Sequence, residues 1–483
     1  VDSHESAGGS LARVSGWRRW SAITMAFAVT MTGLVVGGPP PTVEAGTIPG
    51  NSTLTTIPAG SYIIDMGVQP QTYENTLYAY GLVYSLMIEH LIPVEWVIND
   101  TKVTDGVDFS YDGKDYSGGP FIIRAQYAAE AAPILAQWGG PASVTTAVGP
   151  LGGVGSDGVT IDGPTTSDIS VPVFDTLTDW PNAVLDDQNG SIAQGYYEEA
   201  LIPQITTAAA TGDDKIAYVF KDPADLDDCD DIYVMPHADP EWETHSNLAT
   251  FNGDGGFIWA ACHAVSVLEN VSDPLDPDPD PDLNFLSTDG LIDFGDHGDG
   301  SPPYTLTSDA SDPVMQFIGT TEGAQQNGSE QIYLPAPGSA WNPDTKVLVW
   351  DPDQEDLVGN PDGLDPPFES PGEAAAMIYG RGFGDPDNGL VMYEAGHNHE
   401  QGDADAVAAI RAFFNLHLIA GIERGIEVTI NTPENIVGGS TVPVDAVIAG
   451  GNPVYDYEWL SSCGGSFSTP TGISADGIIS TSF

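Results

Sequence analysis

The run Gly255-Gly-Phe-Ile-Trp-Ala-Ala-Cys262-His263-Ala-Val-Ser-Val-Leu-Glu269 joins a short apolar strand to a helix, with only Cys262 and His263 at the junction. A strand this short and apolar has no polar face, as expected for a central strand covered on both sides. Two other runs read alike, Ile232-Tyr-Val-Met235 and Leu390-Val-Met-Tyr393, each followed by turn or polar residues. Working outward, Ala183-Val-Leu185 precedes a helical pattern over 192–202, and the last strand precedes one over 404–419. Towards the N-terminus, Ser61-Tyr-Ile-Ile-Asp65, Val94-Glu-Trp-Val-Ile98 and Phe121-Ile-Ile123 alternate with helical patterns over 73–91 and 126–138. This alternation predicts an α/β domain over residues 46–424, built as a flavodoxin-like, doubly wound parallel sheet.

Between about residues 272 and 367 Asp-Pro repeats dominate, densest in Asp273-Pro-Leu-Asp-Pro-Asp-Pro-Asp-Pro-Asp282. Proline forbids regular helix and central strand there, so this span reads as long surface insertions in the α/β domain. After Arg424 the pattern becomes all-β, in Ile426-Glu-Val-Thr-Ile430, Thr441-Val-Pro-Val-Asp-Ala-Val-Ile448 and Tyr455-Asp-Tyr-Glu-Trp459. Residues 425–483 resemble the first strands of an immunoglobulin-like or PKD-like β-sandwich, with Trp459 as its core tryptophan. A partial sandwich leaves a sheet edge open, which invites pairing with another copy of the chain or with a surface protein or glycan.

The charge balance is extreme: 12 basic residues against 70 acidic ones, a formal −58. Such a surface repels nucleic acid and anionic lipid, and it needs cations to screen its self-repulsion. Two readings fit, a halophile surface and a set of Ca²⁺ loops, since Asp is a short, hard oxygen ligand. Arg13, Arg18 and Arg19 precede an apolar run over 22–36, and Val43-Glu-Ala-Gly46 follows. That order predicts a cleaved secretory signal peptide over 1–45, an extracellular or cell-surface location, and no later membrane span. Removing those residues takes away three Arg and three acidic residues, so the mature chain stays as acidic. The three cysteines, Cys229, Cys262 and Cys463, are too few for a disulfide framework.

Ligands of parallel sheets bind beyond the carboxyl ends of the strands. His237, Cys262, His263, His397 and His399 all closely follow predicted strands, so they gather on one sheet edge. The Cys262 strand–turn–helix and the later Gly389-Leu-Val-Met-Tyr-Glu-Ala-Gly-His397-Asn-His399-Glu400 resemble the class I glutamine amidotransferase-like superfamily, in its trehalose-utilisation-type branch. The resemblance spans roughly residues 60–422 and implies a nucleophile elbow, in which a helix N-terminus activates a thiol. The elbow glycines and the His-x-Glu order of the true amidotransferases are absent here.

Three readings of this cluster stand side by side. In nucleophilic catalysis Cys262 attacks, His397 or His399 is the base, and Glu400 or Asp239 orients it. As a metal site, His237, His263 and His397 hold Zn²⁺ or a similar ion. As structure, a buried Cys and bonded histidines remain on an inherited scaffold. The Asp-rich loops, with Asp278, Asp280, Asp282 and Asp353, are the candidates for Ca²⁺. His245 reads as a capping or surface residue. Function divides between surface attachment, assembly or ligand binding and a Cys262-dependent exported hydrolase or amidase.

Overall fold

A computed structural model describes residues 24–25, 52–139, 158–203, 217–275, 282–292, 300–328, 330–352 and 374–425. In the C-terminal segment it describes 427–431, 441, 443–449, 455–459, 467–469, 471–474 and 478–482. The signal peptide, Thr24–Met25 apart, and the calcium candidates Asp278, Asp280 and Asp353 lie outside the described residues. Contacts divide the chain into two units: Pro39–Gly425, and Val1–Gly38 with Ile426–Phe483.

The larger unit is mixed α/β. Its eight-stranded sheet runs Tyr218–Lys221, Ala183–Asp186, Ile232–Pro236, Phe257–Ala261, Leu390–Glu394, Ala375–Arg381, Lys346–Trp350, Thr305–Leu306. The first five strands are mutually parallel, and the last three add on antiparallel. Every residue of Ile232–Pro236, Phe257–Ala261 and Leu390–Glu394 is buried, which is why these runs read as continuously apolar.

The strands expected at the start of this sheet form a second, wholly antiparallel one. Its order is Thr53–Ile57, Ile169–Leu177, Val94–Val97, Phe121–Ile123, Tyr62–Ile64, Ile161–Asp162. A parallel pair needs a crossover connection, and none joins Val94–Val97 to Phe121–Ile123. A hairpin stands there instead, Val107–Tyr111 paired with Lys114–Ser117. Its turn is Asp112-Gly113, both at positive φ, as a two-residue hairpin loop requires. Phe109 and Tyr116 stack at 4.8 Å and close a small apolar cluster with Ile63, Val97 and Ile122.

The proline-rich span is not all surface. Leu283, Phe285, Val314, Ile332 and Tyr333 are fully buried, and Lys346–Trp350 is a strand of the main sheet. Proline bars regular backbone bonding but not burial of the side chains beside it. Ala404–Arg424 is capped by Asp403, whose Oδ1 accepts from the Ala406 N–H at 3.0 Å. It is long and apolar enough to cross a bilayer, yet every residue from Ala406 to Gly421 is buried in the core.

Among the described residues the smaller unit is all-β. Glu427–Asn431, Pro443–Ala449 and Ile478–Ser482 form one antiparallel sheet. Tyr455–Trp459 pairs antiparallel with Thr471–Ser474, and Thr24–Met25 runs parallel beside Tyr455–Trp459.

Candidate active site

Strand register sets the site. Pro236 lies opposite Ala261, and Ala261 opposite Glu394, so three neighbouring strands end at one level. The residues that follow, His237 and Cys262, leave the sheet side by side. The His237 N–H donates to the Ala261 carbonyl at 3.2 Å, and the Cys262 N–H to the Glu394 carbonyl at 3.4 Å. Both then turn in the left-handed region, His237 at φ 47° and Cys262 at φ 56°, ψ −148°. Such conformations cost non-glycine residues about 1–3 kcal/mol each and cluster at functional sites.

The turn delivers the Cys262 sulfur to His237 Nδ1 at 3.2 Å. A ring nitrogen of His263, the first residue of the next helix, lies within 4.8 Å of both. His263 Nε2 meets Asp239 Oδ1 at 2.7 Å. The hydrogen bond to Cys262 raises the His263 pKa most; burial opposes that, and Asp239 raises it further. The loop after Ala183–Asp186 braces the cluster from the side. Asn189 donates to the His237 carbonyl at 2.5 Å, and Gln188 Oε1 accepts from the Asp239 N–H at 3.1 Å. Tyr333, from the proline-rich span, lies against the elbow and donates to the Cys262 and Glu394 carbonyls at 3.2 and 2.9 Å. Cys262 is fully buried, whereas His237 and His397 are half-exposed.

The other candidate residues are placed differently. His397 does not join the Cys262 trio; its ring packs edge-on against His237, centroids 4.0 Å apart. His399 points inward instead. Its backbone N–H donates to the Tyr196 hydroxyl at 3.1 Å, and its enclosed ring sits 5.7 Å from that of Tyr196. Burial, then the neighbouring His397, pushes the His399 pKa down to about 3. Glu400 is exposed and accepts from Asn398 Nδ2 at 3.0 Å, so Asp239 is the acid that meets an imidazole of the trio. Beneath the elbow, Glu394 accepts from Trp259 Nε1 at 3.3 Å, and burial raises its pKa well above the usual carboxyl range. Neither ring nitrogen of His399 nor Glu394 Oε1 has a hydrogen-bond partner among the described residues.

His245 is in the core rather than at the surface, and its Nδ1 accepts the Glu241 N–H at 3.0 Å, at the start of the Trp242–His245 helix. It is buried with Nε2 3.6 Å from Asp186, which also accepts from the Tyr233 hydroxyl at 2.5 Å. Asp282 is half-buried, and among the described residues it joins no convergent group of His, Cys, Asp or Glu. Among the described residues Cys229 and Cys262 form no disulfide. Sequence reasoning missed Tyr333 and Asn189, because nothing in the spacing of a proline-rich span or a loop places them at the elbow. On the outer flank of the His263–Leu268 helix an open groove of ≈520 Å³ is lined by Pro240, Glu241, Trp242, Ser266 and Asn270.

No family model matches the chain, and neither a curated protein nor a solved structure does.

Proposed function

We propose that this is an exported, acidic protein whose α/β unit is a thiol-dependent hydrolase or amidase, with Cys262 as nucleophile. The observation that carries the proposal is the Cys262 backbone, at φ 56° and ψ −148° between a buried strand and a helix. Glycine would hold that turn without strain, so a cysteine there points to a use for its side chain. Five parallel strands, with such an elbow after the Phe257–Ala261 strand, support kinship with the amidotransferase-like, flavodoxin-like architecture, elaborated by antiparallel strands along one edge. The alternative role in surface attachment or assembly draws support only from the C-terminal β segment, and the site geometry weighs towards chemistry.

His237 Nδ1, in contact with the sulfur, takes the Cys262 proton. The sulfur bonds to the substrate carbonyl carbon; the C–N or C–O bond breaks, and the leaving group takes the proton from His237. Water, deprotonated by the same imidazole, then cleaves the thioester to release the acid and restore the thiol. His263, held by Asp239, places an imidazole beside the sulfur as it becomes anionic. Substrate reaches the sulfur from the side of His237 and His397, the half-exposed members of the cluster.

The test is acylation of the folded, reduced protein by p-nitrophenyl acetate, followed by intact mass and peptide mapping. An acetyl group is expected on Cys262 and absent from Cys262→Ala, with release slowed about 10²–10⁴-fold in His237→Ala. Acetyl release that Cys262→Ala leaves unchanged overturns the reading.

A further inference from the structure

We infer that His237, Cys262 and His263 also bind one divalent transition-metal ion of borderline softness, of the Zn²⁺ class. The inference concerns the site proposed above but rests on its donor atoms and not on its activity. One sulfur and two imidazole nitrogens lie within 4.8 Å of one another, the sulfur and His237 Nδ1 already at 3.2 Å. In a tetrahedral zinc site with Zn–S of about 2.3 Å and Zn–N of about 2.0–2.1 Å, ligand atoms stand roughly 3.3–3.6 Å apart. Small side-chain rotations therefore close the trio around an ion.

Two further features fit a metal better than a bare thiol. A catalytic cysteine needs one imidazole, and this one meets two. The second, His263, has its Nε2 on the Asp239 carboxylate at 2.7 Å. That carboxylate–histidine pairing orients metal-ligating imidazoles and raises their basicity. The backbone is also fixed in advance, because the His237 N–H is bonded to Ala261, the residue before Cys262.

The donor set selects the ion. Thiolate and imidazole suit Zn²⁺, Co²⁺ and their neighbours, whereas Ca²⁺ and Mg²⁺ require oxygen ligands that the trio does not offer. Three protein ligands leave a fourth position for water or an anion. An ion on Cys262 draws electron density from the sulfur and shields an exported thiol from oxidation. The acidic surface draws divalent ions towards the protein.

The experiment uses the full chain, stripped of metal by a chelator and kept reduced, and titrated with Co²⁺. One equivalent is expected to give a near-ultraviolet thiolate charge-transfer band and the strong visible bands of tetrahedral Co²⁺, both displaced by Zn²⁺. Cys262→Ser is expected to abolish the charge-transfer band. His263→Ala should weaken binding at least about 10-fold, and Asp239→Asn about 10–100-fold. Cys229→Ser is the control for the exposed thiol among Asp227, Asp228 and Asp230, and it should keep the full spectrum. Circular dichroism establishes that each variant is folded. A band that survives Cys262→Ser, disappears in Cys229→Ser, or never forms in the folded wild type overturns the inference. Acylation without a cobalt band removes the metal and leaves the hydrolase; a cobalt band without acylation does the reverse.

Discussion

Cys262 and His237 hold left-handed backbones on adjacent strand ends, and the proposed chemistry rests on that pairing at the residue scale. Its energetic consequence can be measured. Cys262→Ala loses the sulfur and keeps the strained φ, whereas Cys262→Gly loses the sulfur and relieves the strain. Both leave the same gap beside His237, apart from one methyl group. Denaturant unfolding is expected to find the glycine variant the more stable of the two by about 1 kcal/mol. An alanine variant of equal or greater stability would show that the turn is not strained. At this scale the sequence was informative where residues follow a strand directly. Pro236, Ala261 and Glu394 end level, so His237, Cys262 and His263 had to meet. It was uninformative about His397 and His399. They follow the same strand but lie beyond Gly396, whose φ of 100° sends His397 towards His237 and His399 into the core. A turn of that kind is set by backbone packing, and spacing does not encode it.

The same contrast holds for whole elements. The parallel core was legible because burial on both faces leaves an unbroken apolar run. The antiparallel sheet is not read from these runs, although the Asp112-Gly113 turn of the hairpin that connects two of its strands is a strong hairpin signal in the sequence. The runs at 61–65, 94–98 and 121–123 are as apolar as parallel strands because this sheet too is covered, and composition alone cannot give strand direction. The helix Ala404–Arg424 is the element that ties these layers together. Asn415 accepts from the Tyr80 hydroxyl at 2.7 Å and donates to the Val314 carbonyl at 3.1 Å, while Arg411 donates to the Met66 carbonyl at 3.1 Å. His417, one turn on from Phe413, bonds the Tyr197 hydroxyl at 2.6 Å, and burial pushes its pKa down to about 4. The unfolded chain takes up that proton near pH 6.5 and the folded chain only near pH 4, so the unfolded state binds more protons between them. Stability is present above pH 6.5 and is lost as pH falls towards 4, by roughly 3 kcal/mol for a group shifted this far. Unfolding measured between pH 7 and 4.5 should show that loss, with a shallower slope in His417→Gln. Equal slopes in the two proteins would mean that His417 is not the group responsible.

At the scale of the whole molecule, the basic charge of the described residues is committed. Lys102, Lys114, Lys221 and Lys346 each reach a carboxylate within 2.7 Å. Arg124, Arg381 and Arg424 pair with Glu95, Glu423 and Asp231, and Arg411 is bound by carbonyls in the core. Each described Lys and Arg is thus used inside the fold, and none of them is left to offset the exposed acidic groups. Expansion on unfolding relieves their mutual repulsion, so stability must depend on screening. The Debye length falls from about 10 Å at 0.1 M salt to about 3 Å at 1 M, short of the spacing between most surface charges. The melting temperature is therefore expected to rise by several degrees between 0.05 and 1 M NaCl, most steeply at the low end, where screening changes fastest. A flat or falling curve would show that the acidic surface does not limit stability. CaCl₂ at matched ionic strength separates the two origins of the acidity. A diffuse halophile surface follows the ionic-strength curve, whereas Asp-Pro loops that chelate calcium lift the melting temperature above it at millimolar ion. The trio at Cys262 offers calcium no oxygen, so any such lift belongs to the loops and leaves the cobalt spectrum of the site unchanged.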